Sequence, residues 1–392
     1  MFKWTTFASF VLALSVLLAL APPHAAPASP PVVPDDDSAP VSYTEFSVPG
    51  AGTTAYLGTN ATAINTANEV VGFYLDSKTV YHGYLRLSNG TITTFDAPNA
   101  GTGKNQGTHP IGVNTGQTIA GMVADSGSVE HGFVRSSTGV FTEFDAPGAG
   151  NSQNRGTIPL SINKSGTIVG MVKDSTDVHH GFLRTSAGTI KTFDVPAAGK
   201  SATQGTSPYS INSGGQIAGS YKDSNSVYHG FLRAANGAIT SPIDAPGAAK
   251  SSTTFFKDIC CGGTYVTSID NSGNITGVFT DSKGVYHGFI RSSAGAITEF
   301  DAPGAGTGAS QGTISFAVNA GVIAGFYNDS SNQSHGFTRA TTGTITTFDA
   351  PGFGGSGLLS GTISFAINSA GDIVGAYTDS SYVIHAYLRN PK

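Results

Sequence analysis

VYHGFLRAANGAIT, residues 227–240, followed by SPIDAPG at 241–247, is one copy of a pattern that returns seven times along this chain. Every copy carries the same landmarks in the same order: Gly-Thr, Asn, Asp, His, Arg, then Asp and Pro. The histidines are His82, His131, His180, His229, His287, His335 and His385, and the first four stand 49 residues apart. Six positions before them lie Asp76, Asp125, Asp174, Asp223, Asp281, Asp329 and Asp379. Four positions after them lie Arg86, Arg135, Arg184, Arg233, Arg291, Arg339 and Arg389. A second aspartate follows at an interval of fourteen in most copies, giving Asp96, Asp145, Asp194, Asp244, Asp301 and Asp349.

Within the first copy, four short β-type runs (61–65, 70–76, 81–87 and 91–95) are separated by Asn, Asp and Gly turn residues. Such residues supply the positive φ or the side-chain hydrogen bonds that chain reversals need. Four antiparallel strands per copy make a propeller blade, and no helical periodicity is present to carry a parallel crossover. The expected fold is therefore all-β: a seven-bladed β-propeller over residues 41–392. Its repeats fall near 50–95, 96–144, 145–193, 194–243, 244–300 and 301–348, with a last one over 349–392. That last copy stops just after its third strand, while SYTEFSVPG at 42–50 resembles the fourth-strand segment TITTFDAP at 91–98. The N-terminal strand is thus expected to complete the last blade and to pair edges that would otherwise be exposed.

The chain has 392 residues, 52 of them Gly, with 11% charged residues and a net charge of -5. No basic run could neutralise a phosphate backbone, so no nucleic-acid partner is expected. Lys3, the apolar stretch Phe7 to Ala21 and the small residues around Ala26-Pro27-Ala28 read as a signal peptide over 1–28. The apolar stretch is shorter than the ~20 residues that span a bilayer, so no membrane span is expected after cleavage. Residues 29–40 are a Pro-rich acidic linker that cannot bury a core. The expected location is secreted or periplasmic, and the expected state is a monomer. The cysteines are neighbours, Cys260 and Cys261. Their Cα atoms lie ~3.8 Å apart across a trans peptide, below the usual bridging range, so a vicinal disulfide would be strained. An unbridged or redox-active pair is the alternative.

Histidine between carboxylates suggests metal binding or acid–base chemistry. Strand geometry places His82 directly after the turn that holds Asp76, and the fourth strand can bring Asp96 to the same ring. Two carboxylates could then satisfy both ring nitrogens. Chemistry normally needs a single site, whereas this arrangement is in every copy, so it reads as a structural network. No metal and no cofactor are expected. In the last copy Ser47 stands where the others have aspartate. The arginine lies ~13 Å along the strand from the histidine, and a solvent-facing or edge-pairing role is expected for it.

The recurring segments VYHGFLRAANGAIT at 227–240 and TISFAINSAGDIVGAY at 362–377 resemble the HAF-family extracellular repeat proteins of bacteria. The likeness covers nearly the whole chain after residue 40. Six copies read His-Gly-Phe or His-Gly-Tyr and only His385-Ala386-Tyr387 keeps the alanine of the family's triplet, while arginine stands where tryptophan often follows. The resemblance implies architecture and export rather than a defined reaction.

A ring of equivalent blades acquires a unique site only through asymmetry, so the loops joining one copy to the next are the expected binding region. Loops into copies two to five carry Lys104, His109, Arg155, Lys200, Lys250 and Lys257, while the other loops carry Tyr56, Leu57, Leu358 and Leu359. One half of this rim is expected to be basic and the other apolar. The largest departure is the insertion KSSTTFFKDICCGG at 250–263, where Phe255 and Phe256 beside Lys257 and Asp258 could contact a sugar ring, a peptide or a neighbouring protein. The competing reading has the phenylalanines plugging the ring. The expected function is a non-enzymatic ligand-binding or protein-interaction scaffold for a glycan, peptide or protein. A polysaccharide hydrolase or lyase is the alternative, and an adhesive cell-surface module a third.

Overall fold

Val70–Leu75, the second strand of the first unit, is buried at every position, whereas the fourth strand, Ile92–Phe95, is partly exposed throughout. The difference follows from pairing: the second strand lies between the first (Gly58–Ile64) and the third (Tyr81–Arg86), but the fourth pairs only with the third. All pairings within the unit are antiparallel, and the pattern returns in each later unit. The computed structural model describes residues 41–251, 262–355 and 360–391, and among them it holds 28 strands and no helix. The expected signal peptide (1–28) and linker (29–40) lie outside the described residues, as do Phe255, Phe256, Lys257, Asp258, Cys260, Cys261, Leu358 and Leu359.

Each first strand carries a β-bulge at the same place, between Ala61 and Ala63 in the first unit. Such bulges bend and twist a strand. The first strands of successive units lie side by side in a closed circuit, with the last beside the first. Around their axis sits one apolar cluster, which includes Ile158, Tyr265, Ile314 and Ile363. Further clusters fill the space between adjacent units; one joins Val71, Leu85 and Ala97 to Val113, Ile119 and Phe133 of the next unit.

The Gly-Thr landmark now has a physical reason. Gly58 holds φ 132°, and a Cβ there would lie 2.0 Å from the Ile384 carbonyl oxygen of the last unit. Only glycine lets a first strand pass that close beneath its neighbour's third strand. The threonine that follows accepts the amide of the segment leaving the preceding fourth strand: Ala97 to Thr108 at 2.9 Å, Ala146 to Thr157 at 2.9 Å, and so on round the ring. On the opposite face the landmark Asn side chains donate to the next unit's backbone, as Asn65 does to Asn114 O at 3.0 Å and Asn163 to Asn212 O at 3.1 Å.

The seam between the two ends is built from the same parts. Ser42–Phe46 pairs antiparallel with Ile384–Asn390, from Ser42 opposite Asn390 to Phe46 opposite Ala386. Val48 donates to Thr59 Oγ1 at 2.9 Å, and Asn368 donates to Asn65 O at 3.2 Å. Ala61, Ile64 and Val70 pack against Val374, Ala386 and Leu388 across it. The molecule is an all-β, propeller-like ring that is closed.

The arginines depart from the solvent-facing expectation. Arg86 is only 8% exposed, with its guanidinium 5.0 Å from the centre of the Phe46 ring. Arg135, Arg184, Arg233, Arg339 and Arg389 cover Phe95, Phe144, Phe193, Phe300 and Phe348 of the preceding unit at 4.5–4.8 Å. For Arg291 the preceding outer strand ends in Ile243 instead. Strand position alone pointed outward because the covering ring comes from the neighbouring unit. Each stacked pair contributes about 0.5–2 kcal/mol between units.

Two outcomes follow for unfolding experiments. Removing residues 42–49 should lower the melting temperature by more than about 5 °C, and an unchanged transition would contradict closure. Gly58→Ala should cost about 3 kcal/mol in denaturant unfolding, whereas alanine at exposed Gly148, where a Cβ would meet nothing within 4 Å, strains only its own backbone and should cost less.

Candidate functional site

The third strand begins directly after the turn that ends the second, so its histidine stands at one rim of the ring. The turn aspartate is fixed first: Asp76 Oδ1 accepts the amides of Lys78 and Val80 at 2.8 and 2.9 Å. That leaves Oδ2 facing His82 Nε2 at 3.7 Å, while His82 Nδ1 lies 3.0 Å from both carboxylate oxygens of Asp96. His131 repeats this with Asp125 and Asp145, His180 with Asp174 and Asp194, and His229 with Asp223 and Asp244. His287 does so with Asp281 and Asp301, and His335 with Asp329 and Asp349. In the last unit His385 Nδ1 meets Ser47 Oγ at 2.8 Å, and Nε2 meets Asp379 at 3.2 Å. Aromatic rings stack beneath several of the imidazoles, Tyr74 under His82 at 4.9 Å and Phe279 under His287 at 4.9 Å among them.

Ionisation follows from these contacts. Hydrogen bonding to Asp244 raises the pKa of His229, and hydrogen bonding to Asp301 raises that of His287, both against burial. Burial opposes the charge on His335 most strongly, yet Asp349 and Asp329 carry its pKa above the ordinary value. Burial pushes Asp174 and Asp379 up, but their turn amides and histidine partners hold both below the usual carboxylate value. Among the described residues no group of three or more His, Cys, Asp or Glu is placed to share a metal ion.

The two aspartates of a cluster are not equivalent. The turn aspartates are about one-quarter exposed in most units, while the outer ones are half exposed: 49% at Asp96, 52% at Asp145, 50% at Asp194 and 51% at Asp301. The outer carboxylate is held by the imidazole and still turns an edge to solvent. Asp349, at 10%, is closed off beside Phe353, whose ring centre lies 6.2 Å from that of His335.

Two of these edges, at Asp301 and Asp145, open into grooves between units. One, of about 720 Å³, is lined by Lys250, Asp281, His287, Glu299 and Asp301, with Gly247 to Ala249 as its far wall. Its counterpart, of about 480 Å³, is lined by Asn99, Asp125, His131, Glu143 and Asp145. Glu299 accepts the Gly247 amide at 2.7 Å, Glu143 accepts from Asn99 Nδ2 at 2.6 Å, and Glu45 accepts the Gly352 amide at 2.7 Å. None of these glutamates is among the candidates read from the sequence. The triplet Thr-Glu-Phe at 44–46, 142–144 and 298–300 was the signal that marks them.

The residues expected to bind ligand divide. Lys104, Lys200 and Lys250 are exposed on the connecting loops, and Lys250 borders a groove. His109 is corrected: it lies within the strand Gly107–Val113, 2% exposed, with its ring centre 3.8 Å from that of Tyr81. Burial pushes its pKa down to about 3. The strand starts at the Gly-Thr step, two residues before this histidine, and not after it. Arg155, partly exposed, fastens its loop by donating from Nη1 to Ser152 Oγ and Ser175 O. Gln106 and Gln311 do the same work through Ser126 O and Ser330 O. Leu57, expected on an apolar rim, is buried.

The chain matches no protein-family model and no curated protein. Among solved structures, the BP39L lectin from Burkholderia pseudomallei is similar with a TM-score of 0.54 at 10% identity, over 85% of this chain and 96% of its own. A prolyl endopeptidase is similar with a TM-score of 0.53 at 11% identity over 82% of this chain. The matched part is 46% of that enzyme, so the chain spans about half of its length. At these identities what is shared is the fold.

The pKa directions set a pH window. The stability given by His229, His287 and His335 is complete below the unfolded value of about 6.5 and fades as pH rises through their higher folded values. That given by Asp174 and Asp379 is complete above about 3.9 and is lost as pH falls through their lower folded values. Melting temperature should therefore be highest between about pH 4.5 and 6.5. Replacing the three histidines with glutamine should flatten the decline on the alkaline side, and an unaltered decline would contradict the assignment.

Proposed function

We propose that this chain is an exported, multivalent glycan-binding scaffold, and that its ring is best read as seven four-stranded blades with Ser42–Phe46 as the outer strand of the last. The observation that carries the binding role is the set of half-exposed outer carboxylates, Asp96, Asp145, Asp194 and Asp301, each fixed by a histidine, with Asp145 and Asp301 at the edge of an inter-unit groove. Sugar hydroxyls are recognised by acceptors held in place before binding, because little ordering is then required. Groove volumes of about 480 and 720 Å³ lie within the usual range for small-ligand sites. Repetition round one face favours a repeating ligand, since linked sites raise overall affinity without a new contact. The lectin BP39L uses the same fold over nearly its whole length, which supports this class of ligand. Export, the secreted or periplasmic location and kinship with the HAF-family repeat proteins belong to the same proposal and rest on the N-terminal sequence and the His-Gly-Phe triplets.

The test is a glycan array probed with the mature chain and with a variant carrying Asp96→Asn, Asp145→Asn, Asp194→Asn and Asp301→Asn. The wild type should bind saturably without altering the glycan, and the variant, checked for an intact melting transition, should bind about tenfold more weakly or less. Equal binding by the folded variant would reject the groove reading, and cleaved glycan would replace it with the enzymatic one.

A further inference from the structure

Paired residues on neighbouring strands point to the same face of a sheet, and one row of them crosses the seams between units. At each seam the row runs from the start of a third strand, over the glycine of the next unit's Gly-Thr step, to the end of that unit's second strand. It reads Glu130, Gly156 and Lys173 at one seam and His179, Gly205 and Lys222 at the next. His179 also pairs with Lys173 inside its own unit, so it stands between the two lysines. Glycine has no side chain, so the residues on either side of it can meet above it. At other seams those residues carry no charge, as with Tyr81 and Ala124 or Tyr228 and Thr280.

The two charged seams differ in one respect. Lys173 Nζ donates to Glu130 Oε2 at 3.3 Å and to Asn154 O at 3.2 Å, and both charged side chains are buried. Lys222, 8% exposed, holds the matching place one unit on, but the residue across its glycine is His179 and not a carboxylate. Among the described residues nothing accepts a hydrogen bond from the Lys222 ammonium or forms an ion pair with it. The Tyr228 ring, centred 5.4 Å away, faces the charge without taking up all of its hydrogens. His179 is 2% exposed, and its Nε2 has no hydrogen-bond partner. Burial, reinforced by Lys173 and Lys222, pushes its pKa down to about 3, so the ring is neutral and can carry its proton on Nε2. A buried ammonium without a counter-charge beside a buried, unmet imidazole nitrogen is costly to keep.

We infer that Lys222 and His179 form a binding site for a small carboxylate-bearing ligand, which does for Lys222 what Glu130 does for Lys173. One carboxylate oxygen accepts from Lys222 Nζ and the other from His179 Nε2. Charge-assisted bonds of this kind are the strong ones. The neighbouring seam supplies the pattern, since an ammonium and a carboxylate meet there above the same glycine at hydrogen-bond distance. The site is separate from the grooves of the histidine clusters and does not depend on their binding glycan.

The test is melting temperature at neutral pH in sodium acetate against sodium chloride of equal ionic strength, for the wild type, Lys222→Met and His179→Glu. Acetate should raise the wild-type value saturably, by about 2–5 °C at about 100 times its Kd, and chloride should not. Lys222→Met removes the unpaired buried charge, so it should melt no lower than the wild type in chloride and gain nothing from acetate. His179→Glu supplies the carboxylate from the chain itself, and it too should gain nothing from acetate. Methyl β-D-glucuronide in place of acetate separates two sources of the group. A gain at lower concentration than acetate needs assigns the site to an acidic sugar, and a gain from acetate alone assigns it to a free small acid. No carboxylate-specific gain in the wild type would overturn the site, and so would an equal gain in the folded Lys222→Met variant. If Lys222→Met does not fold, His179→Glu decides by the same comparison, and a full acetate gain there would overturn the site.

Discussion

A sheet that ends in an unpaired strand exposes a row of amides and carbonyls that must find partners, and this chain places that problem in its last unit. Among the described residues no strand follows the third strand of that unit, Ile384–Asn390. The edge is satisfied by Ser42–Phe46, from the other end of the chain. Everything else in the ring depends on that pairing. It brings Phe46 under Arg86, sets Val48 against Thr59, and lets Asn368 reach Asn65. The contacts at the seam are of the same kinds as those between any two neighbours, so the ring has no weak joint built in by its topology.

Much of this was legible because the repeat fixes register. Glycine before threonine, asparagine and aspartate in turns, and a histidine fourteen residues before an aspartate each mark a position where only one local geometry works. The shared end sheet was legible because SYTEFSVPG has the pattern of a fourth strand without a unit of its own. What escaped was whatever depends on the neighbouring unit. The arginines looked exposed on their own strands, but the phenyl rings that cover them come from the strand before. His109 looked like a loop residue because it follows a Gly-rich stretch, yet the strand had already begun at Gly107. Glu45, Glu143 and Glu299 were not singled out, though their shared position on the outer strand is what gives them a role.

The same division locates the acceptors on which the proposed binding role rests. The histidine clusters are structural in their inner half, where a turn aspartate is consumed by backbone amides, and open in their outer half, where a held carboxylate still meets solvent. One arrangement can therefore stabilise the fold and present acceptors without a separate scaffold. Specialisation comes from departures: Phe353 closes one cluster and Ser47 removes an acceptor from another. A ring that repeats a modest site several times needs only weak recognition at each to hold a repeating ligand.

The central claim is that the N-terminal strand is a member of the ring and not a free tail. Amide hydrogen exchange of the Ser42–Phe46 strand, read residue by residue, addresses it directly. Amides facing Ile384–Asn390 should be protected to the same degree as their equivalents in Ile92–Phe95. Exchange at the rate of an unstructured peptide across all five residues would contradict the account.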